Sequence, residues 1–582
     1  MQVLLVLLRA EGRTVTRDEL VEACWDGRIV SDDAINRVIA LVRGLGRNFD
    51  PPPFTLETIT KVGFRLDAAD RGDAGSAASP PMPGEPPPAA GAASLARPRF
   101  QGRRIFAGLA GLLLFAMIAG AWWWFRPAHE HSMTVRLAGF RTLSADLPAA
   151  MRESINPEIT AAFNVDGVIS VSTAPTPKAG SAYVLDGTIY RVGDVIRVIT
   201  RLTNPRSGVV LWSDSADYAA DQVAKVPHKI AVDAGTVVRC GLSGAATYRK
   251  PLPDPVLSNY MQYCQEYWAY GGTRTLHFAQ RVVAAVPDFS WGWSAVANGY
   301  MQAADDERDG QRAQALRAAG RQAEDKAVAL DRNNSEALAH KAYLIDQHDW
   351  IGQEALFKSA IAAKPLDCGC EHYGYGLKLQ SVGRLAAAAE QFRAATDMLA
   401  LWPSSQLALG HTLVAMNRIE QARPYFDAAI DLSKNPTFDK QVAVTEGAET
   451  GDYPAAIAAL QSPQFQSPKE SRAALLSAFQ ALTSGAPQAK ARAVQALLAL
   501  PKDDQDATVV SLLAALGANR EALQIGADKP WLFWRRSMHG VLNEPTFPAV
   551  ADQLGLMTYW KASGTKPDVC HTASKPAFCQ MI

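Results

Sequence analysis

The sequence predicts a multidomain chain: a small helix-and-hairpin module, one transmembrane helix, an α/β sandwich and an all-α solenoid. Three observations carry this. Ile105 to Phe125 is a run of 21 residues without a charge. Strand and helix signals alternate over residues 134–243. Beyond Pro255, small and aromatic residues recur with a spacing of 34. A length of 582 residues, at about 150 residues per domain, suggests about four domains. With 48% hydrophobic and 20% charged residues a sizeable core is available and wholesale disorder is excluded. Lys+Arg and Asp+Glu are both 58, so the global balance neither favours nor excludes nucleic acid. Seven cysteines rule out a disulfide-dense miniprotein.

Residues 1–67 read as three helices and a hairpin. Residues 2–10 form a hydrophobic helix. Thr16-Arg17-Asp18-Glu19 has the spacing of a capping box, Thr at the cap and Glu three later, opening a helix through about Cys24. Ser31-Asp32-Asp33 caps a third helix running to about Gly44, with both acids in the favourable first turn. Phe54–Thr60 and Phe64–Leu66 read as two strands around a Lys61-Val62-Gly63 turn. This order is the plan of a winged helix-turn-helix. The runs TRDELVEACWDGRIVSDDAINRVI and FTLETITKVGFRL resemble the OmpR/PhoB-type DNA-binding domain of CadC- and ToxR-like membrane regulators. The resemblance implies that the third helix enters the major groove while the wing touches backbone. It places Asn36 and Arg37 near base edges, and Arg43, Lys61 and Arg65 nearer phosphates. The family domain begins with a small sheet ahead of the first helix, and this chain starts inside that helix, so the winged helix is expected to lack its amino-terminal sheet. Residues 1–70 hold nine Arg/Lys and eleven Asp/Glu. Phosphate neutralisation supplies most sequence-independent affinity, so one copy is expected to bind DNA weakly and a homodimer to be the active form. The competing reading is a winged helix that has lost DNA binding.

Residues 68–104 form a Pro/Ala-rich linker: residues 71–100 hold seven Pro, eight Ala, four Gly and three Ser. The uncharged run at 105–125, at 1.5 Å per residue, spans about 30 Å as a helix, the thickness of a hydrocarbon core. Arg97, Arg99, Arg103 and Arg104 precede it and only Arg126 follows closely, so the positive-inside rule puts the amino terminus in the cytoplasm. The carboxyl part is then periplasmic, and the chain a single-pass protein of a bacterial inner membrane.

Residues 134–243 read as an α/β sandwich. Expected are a strand at Thr134–Phe140, a helix at Leu147–Phe163, a short strand at Val168–Ser172 and a hairpin of Tyr183–Arg191 with Asp194–Asn204. An edge strand at Val209–Ser213 and a helix at Val223–Arg239 complete it. VRLAGFRTLSADL and AYVLDGTIYRVGDVIRVITRLTNPRSGVVLW resemble the TolB amino-terminal-like domain, which implies a binding or assembly module without catalysis.

Residues 255–525 read as helical repeats. Gly376, Ala388, Phe392 and Ala395 recur as Gly410, Ala422, Phe426 and Ala429, each displaced by 34. This is the tetratricopeptide signature, in which small residues let helices approach and an aromatic fills the space beside them. Such arrays bind peptides or proteins as a class, so a periplasmic protein or peptide partner is expected. Residues 526–582 resemble the tail of CadC-like regulators and are expected to pack as a cap.

Six cysteines fall on the outer side, an even number in an oxidising compartment. Cys570–Cys579 is the first pairing expected and Cys240–Cys264 the next, with Cys368 and Cys370 also candidates. Cys368-Gly-Cys370-Glu-His372 lacks the second ligand pair of a zinc site. No phosphate loop, H-E-x-x-H, G-x-S-x-G or G-x-G-x-x-G occurs, so neither catalysis nor a cofactor is expected. His340 and His348 read as surface or packing residues. The function expected is a one-component, membrane-anchored transcription regulator coupling periplasmic binding to promoter DNA. The alternative is a membrane-anchored periplasmic scaffold.

Overall fold

A computed structural model describes residues 2–10, 12–16, 19–20, 23–24, 39, 54–59, 63–68, 133–163, 169–173, 182–268, 274–363, 369–433, 435 and 437–582. The chain divides into two compact units, residues 1–114 and 115–582. The linker at 71–100 and the uncharged run at 105–125 lie outside the described residues. Among the described residues no helix is long and apolar enough to cross a membrane.

In the first unit, α1 (Gln2–Arg9) buries Val3 and Leu7, four apart on one face. The Thr16/Glu19 box forms as its spacing requires. The Thr16 N–H donates to Glu19 Oε2 at 2.7 Å, and the Glu19 N–H donates to Thr16 Oγ1 at 3.2 Å. The hairpin forms too, β2 (Phe54–Ile59) antiparallel to β3 (Gly63–Ala68). A two-residue strand, β1 (Val15–Thr16), adds to it through Val15 opposite Phe64, giving the order β1-β3-β2. Val3, Leu7, Val15, Leu20, Ile39, Phe64 and Leu66 make one small core.

The second unit opens with a five-stranded mixed sheet, order β5-β4-β6-β7-β8. Its strands are β4 (Met133–Thr142), β5 (Ile169–Ser172), β6 (Ala182–Val192), β7 (Val195–Thr203) and β8 (Val210–Ala219). β4 runs parallel to β5 and β6, and the remaining pairs are antiparallel. Helices α2 (Ala149–Phe163) and α3 (Val226–Ala246) contribute Ile155, Ile159, Ile230 and Val238 to a core with Leu185, Ile189, Ile196 and Val198 of the sheet. The α/β sandwich is therefore present. Its edge strand runs six residues past Ser213. The acids along that stretch obscure the apolar alternation, while Asp217 pairs with Arg197 across the ladder at 2.6 Å.

Helical hairpins follow. The first holds α4 (Asp254–Trp268) and α5 (Arg274–Ala285), and the second α6 (Ser290–Asp306) and α7 (Gly310–Leu330). Next come α8 (Ser335–Leu344) with α9 (Trp350–Ala362), α10 (Cys370–Ser381) with α11 (Leu385–Met398), and α12 (Pro403–Ala415) with α13 (Ile419–Leu432). Then follow α14 (Phe438–Thr450) with α15 (Tyr453–Gln461), α16 (Lys469–Ser484) with α17 (Pro487–Leu498), and α18 (Ala507–Ala515) with α19 (Asn519–Ile525). The 34-residue spacing has a direct steric cause. A Cβ on Gly376 would lie 2.6 Å from the Phe392 ring, and one on Gly410 would lie 2.7 Å from Phe426, so only glycine admits the aromatic of its own hairpin. Ala388, Ala395, Ala422 and Ala429 are fully buried at the same crossings.

The sandwich and the array are continuous. One core runs from Val135 through Leu257 and Trp291 to Ala323, and the Cys240–Cys264 disulfide joins α3 to α4. Cys570–Cys579 is bonded as well, and Cys370 is disulfide-bonded to a partner outside the described residues. Cys24 is a free thiol.

Candidate functional site

Of the residues expected at DNA, Asn36, Arg37, Arg43 and Lys61 lie outside the described residues. Arg65 sits on β3 opposite Glu57, and its Nη2 lies 2.6 Å from Glu57 Oε2. Both side chains are about half exposed, so the pair is worth little. Elsewhere in this unit, the Thr16 N–H and Arg13 hold the Glu19 carboxyl below its usual range.

The chain's own tail packs against the helical array. Residues 526–582 form the 3-10 segments Pro530–Trp534 and Arg536–Asn543, then α20 (Phe547–Gln553) and α21 (Leu556–Ser563), then two more 3-10 segments, Asp568–His571 and Ala577–Gln580. The tail covers the last hairpin, as a cap would, and shares a core with Val510 and Leu513 of α18. It then continues back to the turn between α10 and α11. There Trp534 Nε1 donates to the Ser381 carbonyl at 3.0 Å and Trp560 Nε1 to that of Val382 at 2.9 Å. The Asp568 N–H donates to the Gly383 carbonyl at 2.8 Å, and its carboxylate accepts from the Ala386 N–H at 2.7 Å. The orphan carbonyls ending one helix and an orphan amide opening the next are thus satisfied by one segment.

Glu354 anchors the same contact. Its Oε1 accepts from Tyr375 at 2.7 Å, Lys358 at 2.8 Å and Arg384 at 3.0 Å, and its Oε2 accepts from Tyr559 of the tail at 2.7 Å. Burial pushes this carboxyl up, but the Lys358, Tyr375 and Tyr559 hydrogen bonds and the Arg384 charge outweigh it and hold it at about 2. A depressed carboxyl stabilises the fold above its unfolded value, and that contribution is lost as pH falls from about 4.5 toward 2. Glu354→Ala leaves Arg384 and two phenols without their shared acceptor, with an expected cost of about 3 kcal/mol at pH 7. Chemical unfolding at pH 7 and pH 3 checks this, since the difference between variant and parent should shrink at the lower pH.

A cavity of about 230 Å³ lies where α3, α4, α6, α8, α10 and the start of α12 meet. Its wall carries a chain of touching rings. Tyr260 and Tyr263 stack at 5.6 Å, Tyr263 and Tyr267 at 6.0 Å, and Tyr267 meets Trp268 edge-on at 5.3 Å. Trp268 meets Trp402 at 5.7 Å and 85°, and Tyr373 lies 4.5 Å from Trp402. Among the described lining residues the charged groups are Glu336 and Glu371, with His340 and Asn298 beside them and no Lys or Arg. Glu371 is 1% exposed. The Trp268 indole N–H is buried without a hydrogen-bond partner among the described residues. Behind this wall, His340 Nδ1 lies 2.8 Å from Glu324 Oε1 and Nε2 lies 3.3 Å from Asn298 Nδ2. Burial pushes the Glu324 carboxyl well up. His340 is therefore a buried member of a polar chain, and His348 alone of the two is a surface residue.

Lys378 packs 5.6 Å from the Tyr343 ring and 5.5 Å from that of Trp350, outside the cavity lining. His372 hydrogen-bonds Gln391 at 2.8 Å. Among the described residues no group of His, Cys, Asp and Glu is placed to hold a metal ion. The cavity was invisible in the sequence because its rings come from segments as distant as Tyr260 and Trp402. The local cue is the aromatic run Tyr260, Tyr263, Tyr267, Trp268 on one helix face.

No family model matches the chain, and no curated protein matches it.

Proposed function

We propose that the chain is a single-pass, membrane-anchored, one-component transcription regulator. Residues 1–67 would contact promoter DNA in the cytoplasm as a winged helix-turn-helix, and residues 127–582 would bind a signal or partner in the periplasm. The observation that carries this reading is the order of parts. A capped helix and wing precede a 21-residue uncharged run whose arginines lie on the amino side, and a large helical region follows it. Homodimerisation would couple the halves, because holding two winged helices together raises their effective concentration at paired half-sites.

Chromatin immunoprecipitation of the full chain, against a variant carrying Asn36→Ala and Arg37→Ala, tests the DNA reading. Loss of at least about tenfold enrichment at occupied promoters is expected, in line with about 1–3 kcal/mol per base contact. Unchanged occupancy would instead favour the membrane-anchored scaffold, for which the net negative charge of residues 1–70 is the supporting observation. An alkaline phosphatase fusion at the carboxyl end should be active, and an inactive fusion with normal expression would refute the periplasmic placement.

A further inference from the structure

We propose that the open face of the five-stranded sheet is a docking surface for an anionic phospholipid bilayer, met by Arg136, Arg141, Arg197 and Arg201. The inference rests on the membrane-anchored reading, which puts the sheet beside a bilayer, and stands apart from the DNA reading.

The sheet has two unlike faces. Leu185, Ile189, Ile196 and Val198 turn toward α2 and α3 and are buried. Strand alternation sends the residues between them the other way. On that second face Asp186 stands opposite Arg201, Tyr190 opposite Arg197, and Arg197 opposite Asp217, all of them exposed or half-exposed. β4 adds Arg136, between the buried Val135 and Leu137, and the exposed Arg141, in register with Thr188.

Antiparallel strands often leave one face to water; the sign of its charge sets this one apart. Among the described strand residues that point this way, four arginines meet two aspartates, with no lysine and no glutamate. Arg201 lies 2.6 Å from Asp186 and Arg197 lies 2.6 Å from Asp217, so both acids are already paired. Arg136 and Arg141 have no ion pair among the described residues, which leaves the face a surplus of two positive charges.

Position supplies the partner. β4 begins at Met133, seven residues after Arg126 at the end of the uncharged run. Seven residues reach at most about 25 Å. Five strands spaced by about 4.8 Å make a face about 20 Å wide, so the tether is long enough for that face to lie on the bilayer. Guanidinium groups suit phosphate oxygens, which they can bind through two parallel hydrogen bonds. A second copy on this face would set surplus against surplus and be repelled.

The test uses the full chain with Cys24→Ser and a fluorophore on Ser215→Cys, an exposed position of the same face opposite Ile199. It is reconstituted in vesicles of phosphatidylcholine, alone or mixed with phosphatidylglycerol, that carry a nitroxide on some head groups. Quenching is expected to rise in the anionic vesicles and to fall back at high salt, where the screening length shortens. Arg136→Gln together with Arg141→Gln should lower the ratio of docked to free face about thirtyfold. Should that variant fail to fold, Ser213→Glu adds an acid opposite Arg201 without removing an arginine, and should lower the ratio about fivefold. Equal quenching in both vesicles, no response to salt, or a folded arginine variant that behaves as the parent would each overturn the proposal. Quenching that ignores lipid, with a fluorophore that responds instead to soluble polyglutamate, would overturn it in favour of an acidic protein partner. Alkaline carbonate separates this face from the anchor. A chain that resists stripping but shows no lipid-dependent quenching keeps the span and loses the proposal. A chain that is stripped loses the span, and the proposal then stands only if the parent, and not the arginine variant, binds anionic vesicles.

Discussion

Removing residues 526–582 is expected to unfold the second half of the helical array rather than to uncover a binding groove. Phe533, Trp534, Phe547, Trp560 and Phe578 are all buried in the core that holds Val444, Phe479, Val510 and Leu513. Burying each such side chain is worth about 1.5–3 kcal/mol, so five together match the whole net stability of a typical domain, about 5–15 kcal/mol. Three backbone carbonyls at 381–383 and the Ala386 amide lose their partners as well. Hydrogen exchange should show protection lost across residues 438–525 and retained across residues 182–268. A truncated chain with full protection in both regions would show that the tail is an ornament.

The second large effect concerns the join between sandwich and array. Replacing Cys240 and Cys264 by Ser opens a loop with a sequence separation of 24, which the chain-entropy relation values at about 3.4 kcal/mol. The same change at Cys570 and Cys579, separated by 9, should cost roughly 2.5 kcal/mol. Urea unfolding of the two double variants should show these losses as lowered midpoints. The first pair should also weaken any ligand of the aromatic cavity, because it fixes α3 against the helix that carries Tyr260, Tyr263 and Tyr267.

What the sequence made legible was local. The Thr16/Glu19 box is a relation across three residues, the paired strands Phe54–Ile59 and Gly63–Ala68 are close in the chain, and Gly376 with Phe392 belongs to a single helical pair. Each is written in neighbouring positions, so periodicity and spacing suffice. β1 escaped notice because a two-residue strand has no period; only its pairing with Phe64 and Gly63 defines it. The α/β domain was expected to end at 243 and the repeats to begin at 255, which makes the residues between a boundary. The core nevertheless passes through them, with Leu252 buried. The docking of Trp534, Trp560 and Asp568 on residues 381–386 joins positions more than 150 apart, and nothing in either segment announces the other. The cavity was hidden for the same reason.

That long-range latch also sets an order of events during synthesis. The sheet and first hairpins draw on contacts available early, and a domain of this kind folds as a unit while later segments are still emerging. The turn at 381–386 and the acid at 354 must wait for Tyr559, Trp560 and Asp568. Until then a row of apolar helices stays exposed. Pulse-labelled chains halted just short of Tyr559 should therefore be the form that chaperones hold longest.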